Sequence, residues 1–277
     1  MSPFFTLLPS RLRLLLGLLA AFSGWAPLWG QEPAAQPGLF GSEKVNDTAL
    51  IGILYDLKQN QEREPTVGDV YLKTAAEFVR EGWDESILNR FYRVTKPLYT
   101  TQIFIPIMGA EAAPSAFKVE KTVKPSRWIV HYKGQVSPPH AGTYRFVGLC
   151  DDLLAVAVNG QTILIGEYRT WRLKNHGWRD APRDGPKTPS GDSVYGDWIT
   201  LKQGEIVDLD IIIGEYPGGK FGGWVLIQEK GVDYPLDGAG KPILPVFQLA
   251  ALPINAQDGK NVQATAAKEN ELWVCHQ

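Results

Sequence analysis

The feature of this 277-residue sequence that most constrains its fold is a series of short apolar segments separated by polar stretches that contain Gly and Pro. In several segments apolar and polar residues alternate, as they do in a β-strand with one buried face. The clearest alternation joins Val207, Leu209, Ile211 and Ile213. The predicted strands are residues 49–56, 98–105, 127–136, 142–148, 154–158, 162–165, 206–213, 221–228 and 246–250. A chain with so many strands is predicted to be mainly β, an antiparallel β-sandwich.

Two turn sequences connect predicted strands. Asn159-Gly160 lies between two apolar strands, and both residues tolerate the positive φ of a type I′ hairpin turn. Pro217-Gly218-Gly219-Lys220 predicts a second hairpin. Residues 166–196 are rich in Arg, Asp, Gly and Pro, and they are predicted to form a long loop on the surface.

One part of the chain has helical periodicity. One face of an amphipathic helix, ending near Gly82, is formed by Tyr71, Leu72, Ala75, Phe78 and Val79. Asp84 can cap a second short helix that carries Ile87, Leu88 and Phe91. The sequence therefore predicts a short helical segment within a β protein.

The charge balance gives no basis for two classes of partner. With 28 Lys and Arg against 30 Asp and Glu, the net charge is −2, and there is no polybasic stretch. Binding to nucleic acid or to anionic lipid is therefore not expected. Hydrophobic residues make up 44% of the chain, which is enough for a packed core.

The first 30 residues have the order of a secretory signal peptide. Arg11 and Arg13 precede an apolar run from Leu14 to Phe22, and small residues follow it. These nine residues are too few to span a bilayer, which takes about twenty. We predict an exported protein that is periplasmic, at the cell surface or secreted, with cleavage between Ala26 and Ala35. A permanent signal anchor is the alternative.

Only two cysteines are present, Cys150 and Cys275. An oxidising compartment permits a disulfide between them, and a loop of this length would restrain the unfolded chain by about 4–5 kcal/mol. The alternative is a small buried side chain at Cys150 and a free thiol in a loose tail.

Strings that look enzymatic are incomplete. Residues 214–220 match the first seven positions of a phosphate-binding loop, but Phe221 stands where Ser or Thr must reach magnesium. Ser193 follows Gly and Asp, as the nucleophile of a hydrolase can. The only His after Ser193 is His276, and no Asp lies three residues before that His. The four His lack metal-ligand spacing, and no carboxylate pair is singled out for glycoside hydrolysis. We predict no catalytic residues.

Asp151 and Asp152 are the most informative pair of residues. They lie between an aromatic strand and an apolar strand, where two charged neighbours are costly to desolvate unless they are paired, hydrogen-bonded or metal-bound. Calcium takes six to eight oxygen ligands, and adjacent carboxylates could supply two or three. The alternative is that both residues accept backbone hydrogen bonds in a turn without any ligand.

The segment from Gly142 to Gly160 resembles the PA-fourteen domain, a β-sandwich family named for a fragment of a bacterial protective antigen. The match consists of a Gly-x-Tyr-x-Phe strand, an Asp-Asp step, an apolar strand and a turn that ends in Gly. Further matching segments, in family order, are 50–55, Trp128 with 132–134, 201–204, 215–219 and 224–227. The resemblance covers about residues 49–250.

The resemblance implies a secreted, non-catalytic β-sandwich that binds carbohydrate in several relatives. In the sugar-binding members the Asp-Asp step contains a cis peptide and chelates calcium, which then holds sugar hydroxyls. Only Asp151 and Asp152 carry over to this chain; Cys150 replaces the usual Ser, and Leu153 stands where a Gly often follows. Residues 65–116 are interpreted as a helical insertion that the compact family lacks.

Three functions follow in order of preference. The first is an exported carbohydrate-binding or cell-surface recognition module, with sugar held at Asp151 and Asp152, calcium as a possible cofactor, and a Trp or Tyr of residues 166–196 stacked on the sugar. The second is a structural or protein-interaction domain of the cell envelope. The third is a secreted hydrolase. The predicted parts are a signal peptide (1–30), a linker (31–48), the sandwich (49–253) and a flexible tail (254–277).

Overall fold

A computed structural model describes residues 38–168, 170–254 and 264–276. The predicted signal peptide and the first part of the predicted linker lie outside these residues. Within the described ranges, no helix is long and apolar enough to cross a membrane.

The regular elements are mostly short strands. The strands are β1 (Leu50–Asn60), β2 (Phe91–Arg93), β3 (Leu98–Thr100), β4 (Phe104–Gly109), β5 (Trp128–Ser137), β6 (Gly142–Asp151), β7 (Leu153–Val158), β8 (Gln161–Ile165), β9 (Lys187–Thr188), β10 (Gly191–Asp192), β11 (Val194–Tyr195), β12 (Ile199–Leu201), β13 (Val207–Glu215), β14 (Lys220–Glu229), β15 (Leu244–Pro245), β16 (Ala264–Thr265) and β17 (Val274–His276). The helices are α1 (Tyr71–Arg80), α2 (Glu85–Leu88), α3 (Ala112–Ala116) and a 3-10 turn at Glu269–Glu271.

Two antiparallel sheets contain most of these strands. The larger sheet has the order β2-β1-β5-β13-β7-β8, with β3 also paired to β1 and β17 to β5. The smaller sheet has the order β11-β6-β14-β4, with β12 also paired to β6. The register of the central pair is unbroken over nine residues, from Val207 opposite Val136 to Glu215 opposite Trp128.

The main core lies between the two sheets. Trp128 of the larger sheet packs against Phe221 of the smaller one, with ring centroids 4.8 Å apart, and Phe40 contacts both rings. All three side chains are buried. The predicted mainly β, antiparallel sandwich is therefore confirmed. The predicted linker is wrong from Phe40 onward, because this residue already belongs to the core.

The two predicted helices are confirmed, except that Phe91 lies in β2 and not in the second helix, and they cover the outer face of the larger sheet. Phe78 of α1 contacts His131 of β5, on the side opposite Trp128, with ring centroids 5.3 Å apart. The Asp84 side chain caps α2 by accepting from the Ser86 backbone N–H. The interpretation of residues 65–116 as a helical insertion is wrong in extent, since β3 and β4 within it pair with β1 and β14 of the two sheets.

The two predicted hairpins have different outcomes. Asn159 and Gly160 both adopt positive φ, +50° and +73°, and connect the paired strands β7 and β8, as predicted. The segment from Pro217 to Lys220 does not form a hairpin, because β13 and β14 belong to different sheets. It is a crossover between the sheets.

The end of the chain corrects a further prediction. Residues 264–276 are not a flexible tail: β17 pairs with β5, and Trp273 is buried against Phe247 and Phe146. Cys150 and Cys275 are both free and buried, so the structure contains no disulfide between them. Cys275 is nevertheless part of a sheet and not of a loose tail.

Candidate functional site

The Asp151–Asp152 step joins the two sheets. Asp151 ends β6 of the smaller sheet, and β7 of the larger sheet begins at Leu153. The peptide bond between the two aspartates is cis. The Asp152 backbone is fixed on both sides, because its N–H donates to the carbonyl of Gly214 (3.0 Å) and its carbonyl accepts from the N–H of Tyr168 (2.7 Å).

A third carboxylate lies beside this step. Glu215 ends β13 and is 1% exposed, while Asp152 is 5% exposed. One oxygen of each side chain accepts a backbone N–H: Asp152 Oδ2 from Tyr216 at 2.7 Å, and Glu215 Oε1 from Gly218 at 2.9 Å. The other oxygen of Glu215, Oε2, is buried and has no hydrogen-bond partner among the described residues. We call Asp151, Asp152 and Glu215 the acidic cluster.

The electrostatics of the acidic cluster are unfavourable to ionised carboxylates. Burial, the contact with the Asp151 side chain and the charge of Glu215 raise the pKa of Asp152 to about 9. Burial and the charge of Asp151 raise the pKa of Glu215 to about 8. Burial raises the pKa of Asp151 as well. Across the described ranges, no Lys, Arg or His forms a salt bridge with any of the three. The cluster therefore lacks a counter-charge of its own.

Aromatic side chains border the acidic cluster. Tyr216, whose N–H donates to Asp152, stacks on Tyr71 of α1 with ring centroids 5.3 Å apart. Trp171 meets Tyr216 edge-on at 4.9 Å, and Tyr168 is 36% exposed. A Cβ at Gly214 would collide with the Tyr71 hydroxyl, so glycine is needed there for α1 to approach the cluster. The long loop thus contributes two aromatic residues near the aspartates.

The cluster offers carboxylate oxygens, which are the donors that Ca²⁺ prefers in proteins. Within the described residues, however, no group of three or more His, Cys, Asp or Glu side chains is arranged to hold a metal ion. The arrangement can present negatively polarised oxygens to a cation or to hydroxyl groups. Any further ligands would have to be backbone carbonyls, water or the bound molecule.

The structure brings together the two residues that the sequence singled out and adds one that sequence reasoning missed. Glu215 continues the alternation of Leu209, Ile211 and Ile213, so it occupies a position on their buried face. An acidic residue at the end of an otherwise apolar strand face was the signal that could have identified it.

Comparisons with known proteins find similar solved structures, all at low sequence identity and with TM-scores below 0.5. Neither a scan of protein-family models nor a search of curated proteins finds a match. Among solved structures, the chain is similar to the PA14 sugar-binding domain from an RTX adhesin, with 16% identity and a TM-score of 0.41, covering 69% of this chain and 94% of that one. It is also similar to the PA14 domain of the antifreeze protein MpAFP, with 13% identity and a TM-score of 0.39, covering 68% of this chain and 87% of that one. A third similar structure is the A domain of epithelial adhesin 6 from Candida glabrata in complex with Galβ1-3GlcNAc. It has 11% identity and a TM-score of 0.43, and the match covers 84% of this chain and 92% of that one. At these identities and TM-scores the similarity says nothing about what this chain binds.

Proposed function

We propose that this chain is an exported, non-catalytic carbohydrate-recognition module that holds sugar hydroxyls at Asp151 and Asp152 with the help of calcium. The observation that carries the proposal is the buried, unpartnered Oε2 of Glu215 beside the two aspartates, in a cluster without a counter-charge. A buried carboxylate without a partner is costly, so the site is incomplete without a cation or hydrogen-bond donors.

Calcium is the proposed cation because it prefers carboxylate oxygens. The three side chains are not by themselves arranged as a metal site, so backbone carbonyls, water or the sugar would have to complete its ligands. Bound at the aspartates, it would offset their mutual repulsion and leave coordination positions for neutral hydroxyl oxygens. The residues of this chain orient the carboxylates: Tyr216 N–H fixes Asp152, and Gly218 N–H fixes Glu215. Glu215 thereby keeps Oε2 for a ligand, whereas the Asp152 side chain also contacts that of Asp151.

The surrounding rings suit a pyranose. Aromatic faces pack against the C–H groups of a sugar while its hydroxyls reach polar groups nearby. Tyr168 and Trp171 meet this requirement, because the first is partly exposed and the second contacts Tyr216 next to Asp152.

One observation favours a second function. Both Asp152 and Glu215 accept backbone N–H groups of the β13–β14 crossover, so the cluster could instead hold that connection in a structural or protein-interaction domain of the envelope. In that case no ligand is needed, and Asp152→Asn should cost the same stability with and without calcium.

Thermal and urea unfolding in calcium and in chelator distinguish the two functions. A ligand that binds only the native state stabilises it by about 2.7 kcal/mol at a hundredfold excess over Kd. We expect this gain for the wild type and for Asp233→Asn, an exposed control site, and its loss in Asp152→Asn. An unchanged wild-type melt would contradict the calcium site. A glycan array read with and without chelator then tests the sugar, and a blank array in calcium would contradict the carbohydrate function.

Export rests on Arg11, Arg13 and the apolar run that follows them. N-terminal sequencing of the protein recovered outside the cytoplasm should give a first residue between Pro27 and Gln36. Intact Met1 on a membrane-embedded product would instead indicate a signal anchor.

A further inference from the structure

Arg145, away from the acidic cluster, is held by three neighbouring side chains. It lies near the start of β6, whereas Asp151 ends the same strand. Its guanidinium carbon is 3.8 Å from the ring centroid of Tyr195 and 4.4 Å from that of Trp198. Its Nε donates to Gln228 Oε1 at 2.8 Å, across the β6–β14 pair. Two rings and one hydrogen bond therefore fix the position of the group.

The edge of this guanidinium remains available. Neither terminal nitrogen has a hydrogen bond or ion pair with a described residue. Among the described residues, the buried side-chain atoms that lack a hydrogen-bond partner are Glu215 Oε2 and Trp224 Nε1. The terminal nitrogens of Arg145 also lack a partner but are not among these buried atoms, so they reach solvent. Burial lowers the pKa of Arg145, because its charge is partly desolvated, whereas the nearby charge of Asp184 acts in the opposite direction.

A neighbouring arginine shows the opposite state. Arg179 stacks on Trp178 at 4.5 Å, but its Nε is paired with Asp197 Oδ1 at 2.7 Å and its Nη2 donates to the carbonyl of Tyr195. Arg179 therefore already forms a salt bridge, whereas Arg145 has aromatic support but no salt bridge with a described residue, and only the charge of Asp184 acts on it from nearby.

We propose that Arg145, Tyr195 and Trp198 form a second binding site, which takes the carboxylate or sulfate group of an acidic saccharide. A fixed guanidinium edge pairs with two oxygens of such a group, and charge-assisted hydrogen bonds of this kind are strong. Trp198 is 39% exposed, so part of its indole can pack against the sugar ring that carries the anion. The choice of a saccharide rests on the proposed function; the choice of an oxyanion rests on Arg145 alone.

The test uses D-glucuronate, glucose 6-sulfate, D-glucose and acetate as probes, titrated into the full protein and followed by the indole N–H signals in NMR. Both acidic sugars, or one of them, should bind more tightly than glucose and acetate. Arg145→Lys keeps the charge but loses the fork, and it should weaken binding by about tenfold or more. Arg90→Lys is the control and should bind as the wild type does, because Arg90 also lies over an aromatic ring, that of Phe91, but is paired with Glu77.

Each outcome has a defined meaning. If only glucuronate binds, or only glucose 6-sulfate, the result identifies which oxyanion the site takes. Equal binding of acetate and glucuronate would overturn the saccharide part, and unchanged binding in Arg145→Lys would overturn the site. The titrations are repeated on Asp152→Asn in chelator, where binding at Arg145 should persist. Failure of the calcium site and failure of this site are thus read separately, and melting curves of each variant check that it is folded.

Discussion

Asp56 and Glu215 are both buried carboxylates on strands of the larger sheet, but their surroundings differ. The side chain of Asp56 lies 2.5 Å from Nζ of Lys58 and accepts from Nε2 of Gln59 at 2.6 Å. Glu215 has one backbone N–H as a partner, a second oxygen with none, and two further acids beside it. A buried acid with its own cation is a complete structural unit, whereas one without a cation depends on protons or on something that binds.

The largest expected effect comes from removing the cation at Asp56. Lys58→Met leaves that carboxylate buried and uncompensated, so we expect a loss of about 3–5 kcal/mol in urea unfolding. The double variant Asp56→Asn/Lys58→Met removes both charges and should recover most of the loss. If Lys58→Met unfolds at the same urea concentration as the wild type, the cation does not stabilise Asp56, and the two sites do not differ in this respect.

The second prediction concerns the acidic cluster, where removing an ionisable group should stabilise the protein at high pH. The pKa of Glu215 is raised to about 8, well above the ordinary value of 4.5 that the unfolded chain retains. Between these values the native state holds a proton that the unfolded state has released, so stability falls as pH rises. In chelator the fall should be about 1.4 kcal/mol per pH unit for each such group; the contribution of Glu215 should level off above about pH 8 and that of Asp152 above about pH 9.

Glu215→Gln removes one of these groups while keeping its shape. Its stability in chelator should therefore depend less steeply on pH than that of the wild type, and above pH 8 the variant should be the more stable protein. Asp56→Asn serves as the comparison, because it leaves Lys58 without its partner and should destabilise at the same pH. A wild-type stability that stays flat from pH 5 to 8 in chelator would contradict the raised pKa.

The sequence predicted much of the fold because alternation and turn residues act locally. Strand faces such as that of β13 and the turn at Asn159-Gly160 depend on neighbouring residues, and both were recognised. The errors concern pairing over long distances. Pro217 to Lys220 has the composition of a hairpin, and only the assignment of β13 and β14 to different sheets shows that it is a crossover.

The same limit applies to the acidic site. Asp151 and Asp152 are adjacent in sequence, so their proximity could be predicted, and the loop that contains Tyr168 and Trp171 was identified as a source of aromatic residues. Glu215 is 63 residues beyond Asp152, and only the pairing of β13 with β7 brings it close. No local pattern shows that its second oxygen has no partner, because that depends on every surrounding backbone group.

The smallest expected effect separates charge from hydrogen bonding as the reason why the two sites differ. Gln59 gives Asp56 a hydrogen bond but no charge, so Gln59→Leu should cost about 1 kcal/mol, well below the cost of Lys58→Met. Gln135→Leu is the matched control, because its amide donates at 3.0 Å to the exposed Asp208 and its loss should be within about 0.5 kcal/mol of neutral. If Gln59→Leu costs as much as Lys58→Met, the number of hydrogen bonds and not the cation protects Asp56. The N–H donors of Tyr216 and Gly218 would then protect Asp152 and Glu215 in the same way, and the acidic cluster would not require a cation.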